Sequence, residues 1–218
     1  MTHFAAADMK VEDEFTLQQI GRYKESVSIL AKYGIAPTYR DLANSAGTVS
    51  HPLSRGNLVR PGGILYGLWR DILQPASQPH SYLNVMSVYT RISLLKEVRA
   101  GESLGYARSF KTSRNSLIAT LPIGYHDGFM RANSNCGKVI IRGRLAPVIG
   151  RVSMDLTIVD VTEIPDVGLH DKVTVIGSDG DVSLFADEMS STVGTISYEI
   201  TCGISSRVPK IFLTSGSE

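Results

Sequence analysis

The chain has 218 residues, 43% hydrophobic and 20% charged, with a formal net charge of +1. That length supports one large domain or two small ones, and so even a charge speaks against nucleic acid or an anionic membrane as the main partner. No apolar run approaches the ~20 residues of a membrane span, and Cys136 and Cys202 lack any zinc or redox spacing, as expected of free thiols in a reducing, cytoplasmic compartment.

The first residues, MTHFAAADMK, resemble neither a signal peptide nor a transit segment; THFAAAD reads like the inside of a strand. A helix is predicted over 16–33. Thr16 and Gln19 have capping-box spacing, Ile20, Tyr23, Val27, Leu30 and Ala31 share one face, and Gly34 is the stop. A strand-like piece at 35–40 leads into the small-residue loop ANSAG, and NLVRPGGILYGL is an apolar piece broken by Pro-Gly-Gly. This order of strand, helix, strand, loop and strand is the rhythm of a parallel α/β layout.

After a Pro/Gln/Ser-rich segment, Gln74 to Ser81, the texture changes. VMSVYTRISLL, SLIATLPI, KVIIRG, APVIGRVSM, LTIVDV and KVTVIG are short β-branched runs, the pattern of an antiparallel barrel or sandwich. SLFADEMS and TVGTISYEITC read as helices, and VPKIFL as a closing strand. The fold class is α/β plus all-β, with an α/β portion over 1–75 and a β domain over 76–218.

Seven stretches in order, THFAAAD, ANSAG, VRPGGILYG, GESLGYARSF, LPIGYHDGF, GRVSMD and ISYEITCGISSRVP, resemble the alanine racemases. The resemblance implies the last strands of a TIM-like α/β barrel followed by that family's C-terminal β domain. It also implies pyridoxal 5'-phosphate as cofactor and interconversion of L- and D-alanine through a carbanion, with D-alanine feeding the cell wall. The working form would be a homodimer with active sites shared between subunits. THFAAAD resembles a segment near the sixth barrel strand. The family's cofactor-bearing lysine lies in an AVVKANAYGHG-like stretch, and none of the eight lysines here has that context.

The residue roles follow from the same resemblance. Asn44 and Ser45 would hold the cofactor phosphate at a strand end, where a hydroxyl and free N–H groups suit an anion, although ANSAG alone is more often a turn. Gly62 and Gly63 would let main-chain N–H groups come close, with no Cβ in the way. Tyr198 would close this cup; otherwise it is a core aromatic on a helix face. Arg60 would face the pyridine nitrogen, donating without giving up its proton, and His3 would lie beside the ring.

Tyr106 would be the base opposite the missing lysine. A phenol needs cations or hydrogen bonds nearby to serve as a base near neutrality. The family has a histidine where Asp41 stands, and a carboxylate beside Arg60 works against a phenolate. Met154 would meet the substrate carboxylate through its main chain, its other reading being core filler. Arg151, Tyr125 and Asp8 would line the substrate's way in. The remaining histidines form no metal pattern. Without the lysine, the chain by itself is expected to be inactive unless it pairs with an N-terminal half. A non-catalytic dimerisation or binding module, and a racemase for serine or another amino acid, stay open beside that reading.

Overall fold

Helix α1, Asp13–Lys32, starts three residues before the expected cap, after a 3-10 turn at Lys10–Glu12. Asp13 and Glu14 bring negative charge to its first turn, which suits the helix dipole. Thr16 therefore falls inside the helix and is buried. The Gln19 amide reaches away from the cap: Nε2 donates to the His3 carbonyl (2.7 Å) and Oε1 accepts from Ala5 N–H (3.3 Å), tethering the N-terminal segment. The end of the helix is as expected. Gly34 is left-handed (φ 74°), and Gly34 and Ile35 N–H groups cap the Ala31 and Leu30 carbonyls.

The computed structural model describes residues 1–70, 72–73 and 82–213, in two compact units, Met1–Val85 and Met86–Glu218. The Gln74 to Ser81 segment and the expected 75/76 boundary lie outside the described residues. In the first unit the expected strands are reduced to extended pieces. Residues 2–7 and 35–40 form no strand, and 41 and 58 share a single parallel bridge. Flanking that bridge, Thr2 N–H donates to the Asp41 carbonyl (3.2 Å) and Arg60 N–H to the Ala43 carbonyl (2.8 Å). Three neighbouring extended segments are thereby aligned. Pro61 and the two glycines after it end the last, which turns into a 3-10 helix at Gly63–Tyr66. Phe4, Ala7, Ile20, Leu42, Ala43, Ala46 and Ile64 form this unit's core, while Phe15, Leu17, Ile29 and Leu30 of α1 stay exposed.

The second unit is antiparallel throughout. One sheet has the order β1 (Val88–Arg91), β9 (Lys172–Asp179), β6 (Lys138–Ile141), β7 (Arg144–Pro147), with β10 (Val182–Leu184) also on β9. A second has the order β2 (Leu94–Val98), β5 (Ser116–Leu121), β8 (Thr157–Asp160), and β3 (Ser103–Leu104) pairs with β4 (Phe110–Lys111). A bridge between Val148 and Val159 joins the end of β7 to β8, so the two sheets are continuous at that corner. β9 is buried over five successive residues, as a central strand must be. The β6–β7 hairpin turns on Arg142 and Gly143, both at positive φ (51° and 69°), the combination that matches strand twist.

Three expectations need correction here. VMSVYTRISLL is two strands in different sheets, because Ile92, wholly buried, and Ser93 break the run. TVGTISYEITC is cut at Gly194 (φ 76°): α3 is Ala186–Val193 and α4 is Ser197–Cys202. VPKIFL has no strand partner among the described residues, and Ile211, Phe212 and Leu213 are exposed. No described helix is long and apolar enough to cross a membrane.

Candidate active site

The first unit gathers a cradle and a charge cluster onto the ends of its aligned segments. Asn44 caps α2, Ser45–Ser50, its side chain accepting from Gly47 N–H (2.9 Å). Capping leaves the first N–H groups of the turn without intrahelical partners. Ser45 is 5% exposed, and its Oγ accepts from Gly62 N–H (2.8 Å) and, weakly, from Ile64 N–H (3.5 Å). That leaves the hydroxyl proton to be donated. The space over Gly62 is open, since a Cβ built there meets only Ser45 Oγ at 3.9 Å. Gly63 is buried at the start of its 3-10 turn.

Beside the cradle, Arg60 is held from three directions. Its Nη1 pairs with the Asp41 carboxylate, and its Nη2 donates to the Thr2 carbonyl (3.2 Å) and to His3 Nδ1 (3.2 Å). A guanidinium has no lone pair to offer, so His3 Nδ1 is the acceptor in this contact. Asp41 is 6% exposed, and its N–H donates to Tyr23 Oη (3.1 Å). Asp8 lies on the exposed turn after Ala7.

The second unit carries the other expected residues. Tyr106 is 72% exposed on a turn between β3 and β4 whose backbone is left-handed at Gly105, Ala107 and Arg108 (φ 73°, 58° and 52°). That turn lies against Arg151: a Cβ on Gly105 would stand 2.9 Å from Arg151 N. Arg108 Nε donates to Ser103 Oγ (2.8 Å), closing it. Tyr125 and Met154 are brought together. Tyr125 N–H donates to the Ser153 carbonyl and His126 N–H to the Met154 carbonyl, each at 3.0 Å. Both side chains are exposed, at 43% and 51%, so Met154 is not core filler. Tyr198 sits in the first turn of α4, 37% exposed.

Sequence reasoning missed a cluster beneath Tyr125 and Met154. Asp127 accepts from Gly124 N–H (2.8 Å) and from Arg207 Nε (2.7 Å), and Arg207 Nη2 donates to Asp155 (2.6 Å). Burial alone would push the Asp127 carboxyl up. The hydrogen bonds from Arg207 and Gly124 outweigh it and hold that carboxyl below its ordinary value. All three residues lie inside stretches already singled out, YHDGF, SMD and SSRVP; only their charge complementarity could have flagged them.

Two family models account for most of the chain. "Alanine racemase, C-terminal domain" matches residues 85–212, and "Alanine racemase, N-terminal domain" matches 1–69. The chain belongs to the alanine racemase family. It is 42% identical over 212 residues to an alanine racemase of Halothermothrix orenii, covering 96% of this chain and 55% of that protein. Among solved structures it resembles alanine racemase from Bacillus anthracis with bound L-Ala-P, at a TM-score of 0.88 and 34% identity, covering 99% of this chain and 55% of that one. It also resembles the Bartonella henselae alanine racemase with covalently bound pyridoxal phosphate, at a TM-score of 0.82 and 30% identity, covering 98% and 56%. The chain thus spans about half the length of the racemases it matches. The expected architecture, a short α/β racemase portion and then a β-rich domain, is shown by these likenesses.

Pyridoxal phosphate fits the donor set of the first unit on its non-covalent side. The buried hydroxyl of Ser45 with a proton to donate, the open space over Gly62 and the first-turn N–H groups after Asn44 suit a phosphate. Arg60 suits a ring nitrogen that accepts a hydrogen bond. A covalent anchor is lacking there, because Lys10, Lys24 and Lys32, the lysines of that unit, are all exposed along the 10–32 turn and helix.

Proposed function

We propose that the chain supplies the phosphate cradle, the pyridine-side arginine and one proton-exchanging tyrosine of an alanine racemase, and that the covalent amine comes from outside these 218 residues. The observation that carries this reading is the Ser45 hydroxyl gathering Gly62 and Ile64 N–H groups next to a guanidinium fixed by Asp41 and His3.

Pyridoxal phosphate, when bound, supplies the electron-accepting ring that makes the Cα proton of an amino acid removable. Asn44, Ser45, Gly62 and Gly63 hold its phosphate. Arg60 donates to the ring nitrogen and keeps its own proton, while His3 borders the ring. Tyr106 Oη exchanges a proton on one face of Cα. The Met154 main chain receives the alanine carboxylate, and Arg151, Tyr125 and Asp8 admit the substrate. The protein works as a cytoplasmic homodimer in which Tyr106 and Met154 serve the partner's site, supplying D-alanine for the cell wall. The set of exposed lysines also favours a second reading, a non-catalytic dimerisation or binding module.

The test follows D-alanine formation from L-alanine with added cofactor. The chain alone is expected to give no more than free cofactor does. Mixed with the lysine-bearing N-terminal part of a relative, it is expected to give turnover that Tyr106→Phe abolishes. Turnover by the chain alone that survives replacement of every lysine would refute the proposal; so would an inert but demonstrably assembled mixture, which would support the module.

A further inference from the structure

The Arg207 guanidinium joins two loops that are far apart in sequence. One is the turn 124–128, which carries Tyr125; the other is the turn 153–156, which carries Met154. Nε donates to Asp127 at 2.7 Å and Nη2 to Asp155 at 2.6 Å. The backbone around this fork is drawn in as well. Ser205 N–H donates to the Asp127 carbonyl at 3.0 Å, and a Cβ on Gly128 would stand 2.4 Å from the Gly203 carbonyl. The segment 203–207, which leaves α4, is thus laid along the first loop and pinned to the second.

We propose that Arg207 is a positioning residue, a clamp that sets the separation and order of the loops bearing Tyr125 and Met154. The assignment of those loops to the substrate rests on the function proposed above; the clamp itself rests on geometry alone. A guanidinium suits the task because its planar fork can serve two carboxylates at fixed angles, which an ammonium on a flexible stem does less well. The carboxylates differ in setting: Asp127 is mostly buried and also braces Gly124 N–H, whereas Asp155 is more than half exposed. Asp127 is thus the fixed arm and Asp155 the adjustable one. Tyr125 and His126 are the other titratable side chains on the two loops joined here. The direction of the charge effects agrees: the hydrogen bonds that Arg207 donates to Asp127 and then to Asp155 raise its pKa above the ordinary value.

Site-resolved amide hydrogen exchange on the 218-residue chain tests the clamp. A charge-assisted hydrogen bond contributes enough to hold a local opening down by about tenfold or more. In Arg207→Met, the Tyr125, His126 and Ser205 amides are expected to exchange at least about tenfold faster, with the β6–β9 amides of Ile140 and Thr174 unchanged. Arg207→Lys should restore part of the protection. Asp155→Asn, at an exposed position that leaves the fold intact, should loosen His126 more than Ser205. Unchanged exchange in Asp155→Asn and Arg207→Met, or acceleration of core and loop amides by the same factor, would overturn the proposal. On an active assembly with a lysine-bearing segment, Arg207→Met is expected to raise KM for alanine more than it lowers kcat. An unchanged KM beside the expected exchange result would refute the substrate assignment of the loops and leave the clamp standing.

Discussion

Asp41 pairs its buried carboxylate with the Arg60 guanidinium, at the position where racemases are expected to carry a histidine. The pair fixes Arg60 from behind while His3 Nδ1 and the Thr2 carbonyl take its other face. Removing the carboxylate leaves a partly buried cation uncompensated. Arg60 is 29% exposed, which softens that penalty. Asp41→Asn is therefore expected to destabilise the first unit by about 2 kcal/mol. Urea unfolding followed by fluorescence of Trp69, the single tryptophan, reports on this unit directly.

The cradle predicts a contrast between two mutants. Ser45→Ala removes the acceptor of Gly62 and Ile64 N–H and should cost about 1 kcal/mol of stability. It should also weaken pyridoxal phosphate binding severalfold in an absorbance titration. Gly62→Ala meets nothing nearer than 3.9 Å, so it should fold normally and still bind the cofactor more weakly, because its methyl occupies the approach to the phosphate.

Much of this was legible before the structure. Most of the β-branched runs after Ser87 became antiparallel strands, and Gly34 ended α1, because period and turn chemistry act locally. The strands of the first unit were not legible in the same way. THFAAAD and 35–40 have strand-like composition, but a strand exists only through its neighbours, and here the neighbours meet at one bridge. Thr16 misled for a different reason: a capping signal counts only at a helix start, and the acidic residues upstream begin the helix first. Arg60, Ser45 and Gly62 were picked out by resemblance and are brought together. Arg207 was passed over because its partners lie 52 and 80 residues away, a separation no local pattern reports.

Glycine substitutions separate tight packing from open space. A Cβ on Gly124 would lie 2.3 Å from the Ser153 carbonyl oxygen and 2.4 Å from that of Met154, and backbone cannot yield. Gly124→Ala is expected to cost more than about 3 kcal/mol, lowering the thermal midpoint by several degrees. Gly21, inside α1, has nothing within 4 Å. Gly21→Ala should stabilise by about 0.5–1 kcal/mol.

Acid should act on the second unit through Asp179 and Asp127. A hydrogen bond from Lys172 and then one from Gly143 N–H hold the Asp179 carboxyl below its ordinary 3.8, and Asp127 is lowered too. Groups with depressed values in the folded state add stability above the unfolded value and lose it as pH falls through the folded one. Unfolding free energy should therefore be level, as far as these two groups go, from neutrality to about pH 5 and fall below about pH 4. Asp179→Asn should flatten part of that fall, as seen in urea midpoints measured across pH by circular dichroism.

The most direct test of the central claim is borohydride reduction of the 218-residue chain saturated with pyridoxal phosphate, read by intact and peptide mass. The expected result is saturable, reversible binding that Ser45→Ala weakens, with no single lysine carrying a stoichiometric reduced adduct. A tight adduct trapped on one of the eight lysines would contradict the account, since it would put the covalent amine within these residues.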